Sequence, residues 1–583
     1  MIKSFKYLKP YIGWVILIFV LVAIRAFMNL LLPFLLNLLI NDMVNPVLSY
    51  DAKIASLTLN GILMLVTTLL GIVVILISGF LESRVSSAYA RDLRVALYKK
   101  VQTFSMNEVD KFTTSSLITR TTNDISSLQM MIAQLLRSVI MAPIMAIGGF
   151  IMAFVTSPNL AVFLVISIVI VIIFLFSLLF IAIPRFKLIQ KLTDKMNLVT
   201  RENLSGLRVV RAFNTQKLQA NKSKKVAKES MEKNIFVNRL FNTMWPVMGL
   251  MMQLTTVLLY FAAINLGFLD LSSESAIGSI SAIIQYGTQT LLNFMMITMI
   301  LTMIPRASIS AKRIMEVIDS DLLIKDLEAP LTLNDLQGEI TFDNVSFQYP
   351  DSDEPILNHI SFTAKKGQMT AFIGSTGSGK STLINLIPRF YDPTNGQILV
   401  DGVDIKSYKQ NEYLKYIGYV PQKGNLFKGT ITSNIAFGQE EINDSVVKTA
   451  AEIAQATNFI EKLDKGFDSE ISQGGSNVSG GQRQRLSIAR AIAKKPKIYI
   501  FDDSFSALDY KTDQKLRKAL HDHIDATILV VAQRINTIKN ADQIIVLDKG
   551  KIAGIGTHQE LLKTCDVYIE IAESQLSKEE LSR

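Results

Sequence analysis

The residues best suited to chemistry in this 583-residue chain lie in one run, Gly374-Ser375-Thr376-Gly377-Ser378-Gly379-Lys380-Ser381. The run fits G-x-x-x-x-G-K-[ST] in the context that pattern requires. The apolar Met369-Thr370-Ala371-Phe372-Ile373 leads into it as a strand, and a helical stretch through Phe390 is expected after it. Glycines let backbone N–H groups close on phosphate oxygens, and a helix start favours their charge. Lys380 is expected to reach the β/γ oxygens of a nucleotide, and Ser381 a Mg²⁺ ion. Ile498-Tyr499-Ile500-Phe501-Asp502 reads as an apolar strand ending in an acid, so Asp502 is expected to hold the same ion directly or through water. Between them, Val478-Ser479-Gly480-Gly481-Gln482 precedes the helical Arg483 to Ala493 and makes a second anion-binding helix end. One copy of an ordinary domain cannot bring that end onto the Lys380 site. It is therefore expected to serve a nucleotide held by another subunit.

The elements that position these residues belong to the second half of the chain. Gly338 to Phe342 and Val345 to Tyr349 alternate apolar and polar residues as half-buried strands do. The first half differs. Through residue 318 there are 30 Lys and Arg against 14 Asp and Glu, a net of +16, and from 319 onward 30 against 36, a net of −6. The chain is 49% hydrophobic and only 19% charged, against about 25% for a soluble average. The basic excess accompanies long apolar runs, which points to loops beside membrane spans and away from a nucleic-acid surface. A single cysteine, Cys565, excludes a disulfide framework and a multi-cysteine metal site, and four histidines leave little for a histidine-based one.

Six stretches reach the roughly 20 apolar residues a spanning helix needs: about 11–40, 54–81, 131–155, 160–183, 244–268 and 276–304. The first is too long for a signal peptide and no small-residue cleavage site follows it. The segment 81–125 carries seven Lys and Arg, and 184–241 carries fourteen, whereas 41–53 has only Lys53 and 156–159 and 269–275 have none. The positive-inside bias therefore places both long loops, the N-terminus and everything after 304 in the cytoplasm. The first ten residues alternate basic and apolar types and could form a short interfacial helix or a plain flanking charge cluster. Arg25 sits mid-span, and no Asp or Glu falls within the six stretches. It is expected to find a second subunit, an anionic ligand, water or the membrane surface. Met244, Met248, Met251, Met252, Met295, Met296, Met299 and Met303, with Trp245, Tyr260, Tyr286 and Phe294, suit either an adaptable cavity or ordinary helix packing.

Over nearly its full length the chain resembles a half-transporter of the ABC exporter superfamily. The resemblance implies a six-helix α transmembrane domain followed by an α/β P-loop ABC-type nucleotide-binding domain. Its divisions are 1–318 for the spans, 319–337 for a linker, 338–575 for the nucleotide-binding domain and 576–583 for a tail. By position, Tyr349 resembles the aromatic that stacks on adenine, and Gly374 to Thr382, with Thr376 and Ser378 among them, resemble the Walker A loop. Gln422 resembles the Q-loop residue that contacts Mg²⁺, Ser479 to Gln482 the ABC signature with Val478 where Leu is usual, and Asp502 the Walker B aspartate. Ser506-Ala507-Leu508-Asp509 resembles the D-loop. Residues 105–124 and 202–213 look like the first and second intracellular loops. ATP and Mg²⁺ are the implied ligands. The implied partners are a second half-transporter, membrane lipids and an amphiphilic small molecule, with no nucleic acid.

Two departures bear on mechanism. The family's usual general base is a Glu after the Walker B Asp, and here the position holds Asp503, whose carboxylate stops about 1.5 Å short. Misplacement by ~1 Å can cost about 10²-fold. The usual switch histidine is replaced by Gln533, which can bond phosphate but cannot carry a proton charge. With Ser479 to Gln482 intact, the pattern resembles the degenerate-site subunit of the heterodimeric bacterial multidrug exporters. A homodimer with two slow sites, a lipid or peptide exporter, and a non-transporting membrane ATP sensor share its motifs. An importer is disfavoured because its membrane and ATPase parts usually lie on separate chains.

Overall fold

The computed structural model describes residues 2–265, 276–333, 335–350, 352–439 and 441–576. The end of the fifth expected span at Phe268, the connection 269–275 and the tail beyond 576 lie outside them. The chain divides into two units, Met1–Gln102 with Thr113–Ser320, and Thr103–Phe112 with Asp321–Arg583.

The first unit is helical. Its long members are α1 (Ile12–Val44), α2 (Tyr50–Gln102), and the helices Ile125–Ser138, Met141–Thr156, Pro158–Ser205, Gln216–Asn242, Met244–Asn265 and Ala276–Ile318. Apolar chain in lipid must satisfy its backbone within the helix, which is why such runs adopt this form. Five helices among the described residues are long and apolar enough to cross a membrane, and the sixth expected stretch lies in Ala276–Ile318. The third stretch, expected as one helix, is interrupted at Val139 and Ile140. Pro143 lacks the N–H that would bond the Val139 carbonyl, so the ladder is weakest there. The first residues form a 3₁₀ helix, Ile2–Tyr11, with Ser4 buried. Met244 and Met248 are packed with Val171, Leu175, Leu178 and Leu291, so these two belong to ordinary helix packing. The side chains of Met295 and Met299 lie outside those described.

Arg25 has a carboxylate nearby after all. Glu82, one residue past the expected end of the second span, is buried and accepts from Arg137 Nε at 3.1 Å. Its charge also acts on Arg25, whose own Nε is buried with no hydrogen-bond partner among the described residues. An apolar window ends at Leu81, but α2 continues unbroken to Gln102 and carries Glu82 on the same packed face.

The second unit holds the nucleotide-type fold. Its strands are β1 (Ile340–Phe347), β2 (Leu357–Ala364), β3 (Met369–Gly374), β4 (Asn395–Val400), β5 (Val403–Asp404), β6 (Ile417–Val420), β7 (Gly429–Thr430), β8 (Glu470–Ile471), β9 (Ile498–Asp502), β10 (Thr527–Val531), β11 (Gln543–Asp548) and β12 (Lys551–Gly556). The main sheet has the order β12-β11-β3-β10-β9-β6, and a four-stranded antiparallel sheet has the order β2-β1-β4-β5. In the main sheet β3, β6, β9, β10 and β11 run parallel, so their apolar sequences are buried on both faces. Pairing of Val531 with both Phe372 and Asp502 aligns the carboxyl ends of β3, β9 and β10 on one sheet edge. Ligands of open parallel sheets bind at that edge. The insert Thr103–Phe112 belongs to this unit through Glu108, which is buried and accepts from Leu323 N at 2.8 Å, and through Asp110, which accepts from Tyr391 Oη at 3.3 Å.

Candidate functional site

The glycine-rich loop joins β3 to the helix Lys380–Leu386, which is shorter than the stretch through Phe390 expected from sequence. The chain turns at Arg389, whose φ of 57° cannot continue a helix. Gly379 has φ +98°, and a Cβ there would lie 2.7 Å from Leu357 Cδ2, so backbone hand and space both demand glycine. A Cβ on Gly377 would meet nothing within 4 Å, which leaves the loop's crest open to a ligand. Lys380 Nζ donates to the Gly374 and Ser375 carbonyls at 2.9 and 2.7 Å and curls under that crest. Burial pushes its pKa down, and the charges of Asp503 and Asp502 oppose the shift.

Ser381 Oγ donates to Asp502 Oδ1 at 3.0 Å, bringing the hydroxyl and carboxylate expected at Mg²⁺ together. Asp503 follows at φ 47°, held by its N–H on the Val531 carbonyl at 3.0 Å. Its Oδ2 accepts two carboxamides, Gln422 Nε2 at 3.1 Å and Gln533 Nε2 at 2.9 Å. Gln422, expected at Mg²⁺, and Gln533, at the switch position, thus meet the general-base position at one oxygen. Burial pushes both carboxyls above the ordinary value, Asp502 further through the neighbouring Asp503 charge and Asp503 against the bonds of Gln422 and Ser506. Two buried acids beside a hydroxyl form an all-oxygen donor set that suits a hard divalent cation. Tyr349 stands edge-on to Phe347 and Tyr391, at 4.8 and 5.3 Å between ring centroids, with its Oη 3.2 Å from Thr382 Oγ1.

The signature segment is elsewhere in the same unit. Ser479 caps the helix Gly480–Ala493, its Oγ accepting from Gln482 N at 3.3 Å while Gln482 Oε1 accepts from Ser479 N at 2.9 Å. This reciprocal cap satisfies two backbone donors of the first turn. Ser479 and Gly480 are exposed, and among the described residues no hydrogen bond joins Ser479–Gln482 to the Lys380 loop or to Asp502 and Asp503. Val478 packs against the core. Asp509 caps the helix Tyr510–His523 by accepting from Thr512 N at 3.0 Å and is likewise exposed.

Sequence reasoning missed two residues. Gln575 donates to the Gln533 carbonyl at 2.9 Å and accepts from Ile535 N at 2.9 Å, so it sets the switch segment from 42 positions away. Arg534 acts on Asp503 through its charge. No pattern of residue types marks the first, whereas the second stands next to Gln533 and could have been inferred from position.

A sequence-family profile described as ABC transporter matches residues 357–506, and one described as ABC transporter transmembrane region matches residues 15–301. The chain is 36% identical over 576 residues to an uncharacterized ABC transporter ATP-binding protein of Mycobacterium tuberculosis, covering 98% of this chain and 97% of the relative. It is 35% identical over 578 residues, 99% of each chain, to the uncharacterized ABC transporter ATP-binding protein YfiB of Bacillus subtilis. Its fold is similar to that of a bacterial Atm1-family ABC exporter solved with ATP bound, at TM-score 0.81 and 24% identity, covering 98% of this chain and 99% of that one.

Proposed function

The chain belongs to the ABC transporters as an exporter half with ATPase-coupled activity, and we propose that it works as the degenerate-site subunit of a heterodimer. The observation that carries this reading is the Asp503 carboxylate, which shares one oxygen between the carboxamides of Gln422 and Gln533. The two N–H donors occupy the oxygen that would have to take a proton from the attacking water. Gln533 supplies no ionisable group in place of a histidine. This chain's loop then binds ATP firmly and hydrolyses it slowly, while its intact Ser479–Gln482 completes a partner's catalytic site.

ATP is the substrate nucleotide of both sites. At this one, Lys380 and the loop's N–H groups would receive its phosphates, and Tyr349 would lie against its base. Ser381, Asp502 and Gln422 would hold Mg²⁺, which when bound neutralises phosphate charge and orients the β and γ groups. Closure of the paired nucleotide domains would be passed to the spans by the cytoplasmic loops, and hydrolysis, mainly at the partner's site, would reopen them. The cargo of this reading is amphiphilic, drawn from the cytoplasm or inner leaflet, with multiple drugs the leading class. Exposed Trp245 and Met296 on the last two spans support an adaptable apolar surface. Lipid or peptide export remains the rival cargo.

The test is ATPase turnover of the co-purified pair. Asp503→Ala is expected to lower it less than about threefold. Removing the partner's catalytic Glu is expected to lower it about 10²-fold or more, the usual worth of a general base. If the chain instead purifies alone as a dimer and loses turnover with Asp503→Ala, Asp503 is a working base and the asymmetry is wrong.

A further inference from the structure

Where α1 begins, a cavity of about 180 Å³ opens against α2, lined by Tyr11, Trp14, Leu81, Arg84, Val85, Ala88 and Arg91. The α2 residues fall at helical spacing on one face, so a single side of that helix builds the wall. Leu81 and Val85 are buried and make an apolar floor. Trp14 is 47% exposed at the rim.

The charged rim is organised. Tyr11 Oη donates to Asp92 Oδ2 at 2.6 Å, Arg91 Nη2 donates to Tyr11 Oη at 2.9 Å, and Arg91 Nε donates to Asp92 Oδ1 at 2.8 Å. This triad fixes one wall and balances the Arg91 charge. Arg84 is exposed and makes no hydrogen bond or ion pair among the described residues, so the cavity keeps one uncompensated guanidinium. Lys6 and Lys9, exposed on the preceding 3₁₀ helix, keep the local field positive.

Position supplies the rest. The basic loop that follows the second span faces the cytoplasm, and Tyr and Trp favour the lipid–water boundary. The cavity therefore lies at the cytoplasmic leaflet's head-group level. Basic pockets between spanning helices on that side bind anionic lipid head groups. Its volume is below the roughly 300–1,000 Å³ of sites that enclose a drug-sized molecule, so it suits a head group whose acyl chains stay outside. Exposed Leu17, Ile77 and Phe80 on the same two helices give those chains an apolar track.

We propose that this cavity is a binding site for the head group of an anionic phospholipid from the cytoplasmic leaflet. Arg84 takes the phosphodiester, the Tyr11–Arg91–Asp92 triad shapes the wall, and Trp14 covers the glycerol. The site is separate from the nucleotide site and from the transported cargo, and it holds whether the transporter pairs with itself or with a different chain.

The test is lipid retention by the full transporter, purified with its partner if it has one, from mixed micelles of phosphatidylglycerol and phosphatidylcholine. Bound lipid is counted by native mass spectrometry. Phosphatidylglycerol is expected to be retained preferentially, and Arg84→Gln to weaken its retention about fivefold, the worth of one basic residue near anionic lipid. Arg84→Lys, a point charge without the fork, recovers part of the loss. Lys53→Gln, in the first turn of α2 at the opposite surface, changes nothing. ATPase in lipid-free detergent should stay unchanged in Arg84→Gln, which certifies the fold. Equal retention of the two lipids overturns the proposal, as does undiminished phosphatidylglycerol retention by a folded Arg84→Gln transporter.

Discussion

Within the nucleotide-binding unit, the loop after β3 and the turn before the helix Gly480–Ala493 are built on opposite plans. Around the loop, polar side chains are spent on one another. Lys380 is bonded to its own loop, Ser381 to Asp502, and Asp503 to two glutamines. At the turn, the Ser479 and Gln482 side chains close on each other's backbone, with Gly480 exposed and Gly481 half-buried between them. The first region is a preorganised receptor that needs a ligand to rearrange its bonds. The second, on the proposed reading, is half of a receptor completed by a partner subunit. If the two places serve different nucleotides, as proposed, the difference teaches why departures from the usual catalytic residues at one are compatible with an intact signature at the other.

The largest effect should come from the exposed turn. Gly481→Asp places a carboxylate at the N-terminus of the helix Gly480–Ala493, where it would oppose phosphate on the partner's nucleotide. Gly481 is also close-packed, since a Cβ there would lie 3.2 Å from the Ala507 carbonyl. Turnover of the assembled transporter is expected to fall about 10²-fold, the usual loss when charge stabilisation at a reacting centre is removed. Thermal unfolding checks that the variant is folded. A folded Gly481→Asp transporter with normal turnover would mean that the turn serves no nucleotide, and the contrast between the two regions would lose its meaning.

An intermediate effect should come from repairing the closed region. Asp503→Glu restores the missing methylene, and Gln533→His restores a group able to carry charge beside it. With the partner's catalytic Glu removed, the double variant is expected to raise the residual ATPase about tenfold, and either single change should do less. Misplacing a catalytic group by ~1 Å is worth more than that, but Gln575 still fixes the switch segment for a glutamine. No gain in the double variant would show that more than these two side chains sets the slow rate.

How legible this was in the sequence follows from how local each feature is. The glycine loop is read from residue types because a φ of +98° at Gly379 admits little else. The parallel strands are read as unbroken apolar runs because both sheet faces are covered. Convergence of Gln422, Asp503 and Gln533 came from family position; their types alone would not place them at one oxygen. Gln575 was invisible, since a carboxamide bonding backbone 42 positions away leaves no spacing to detect. Glu82 was missed for a different reason. Hydropathy windows stop at the first charge, whereas the buried helix face does not. The interruption at Val139 and Ile140 was readable in principle from Pro143 but was outweighed by the apolar run around it.

The smallest effect separates two aspartates that differ only in surroundings. Asp503 is 8% exposed, and burial holds its pKa above the ordinary value of 3.8. A carboxyl raised in this way gives the fold most stability below 3.8, and that stability is lost as pH rises through the folded-state value. At pH 7.5 the nucleotide-free fold therefore carries the full penalty of the buried anion. Asp503→Asn removes it while keeping an oxygen that can accept from Gln422 and Gln533. Thermal unfolding should show a gain of about 1 kcal/mol at pH 7.5 that shrinks as pH falls toward 3.8. Asp509 works with the opposite sign. Its bond to Thr512 holds the pKa below 3.8, so the anion stabilises the fold above that value and the contribution is lost as pH falls through the folded-state pKa. Asp509→Asn should therefore lower stability at pH 7.5. If Asp503→Asn also destabilises at that pH, the bonds of Gln422 and Gln533 and the charge of Lys380 outweigh burial, and the closed region is built around a firmly held anion in place of a strained one.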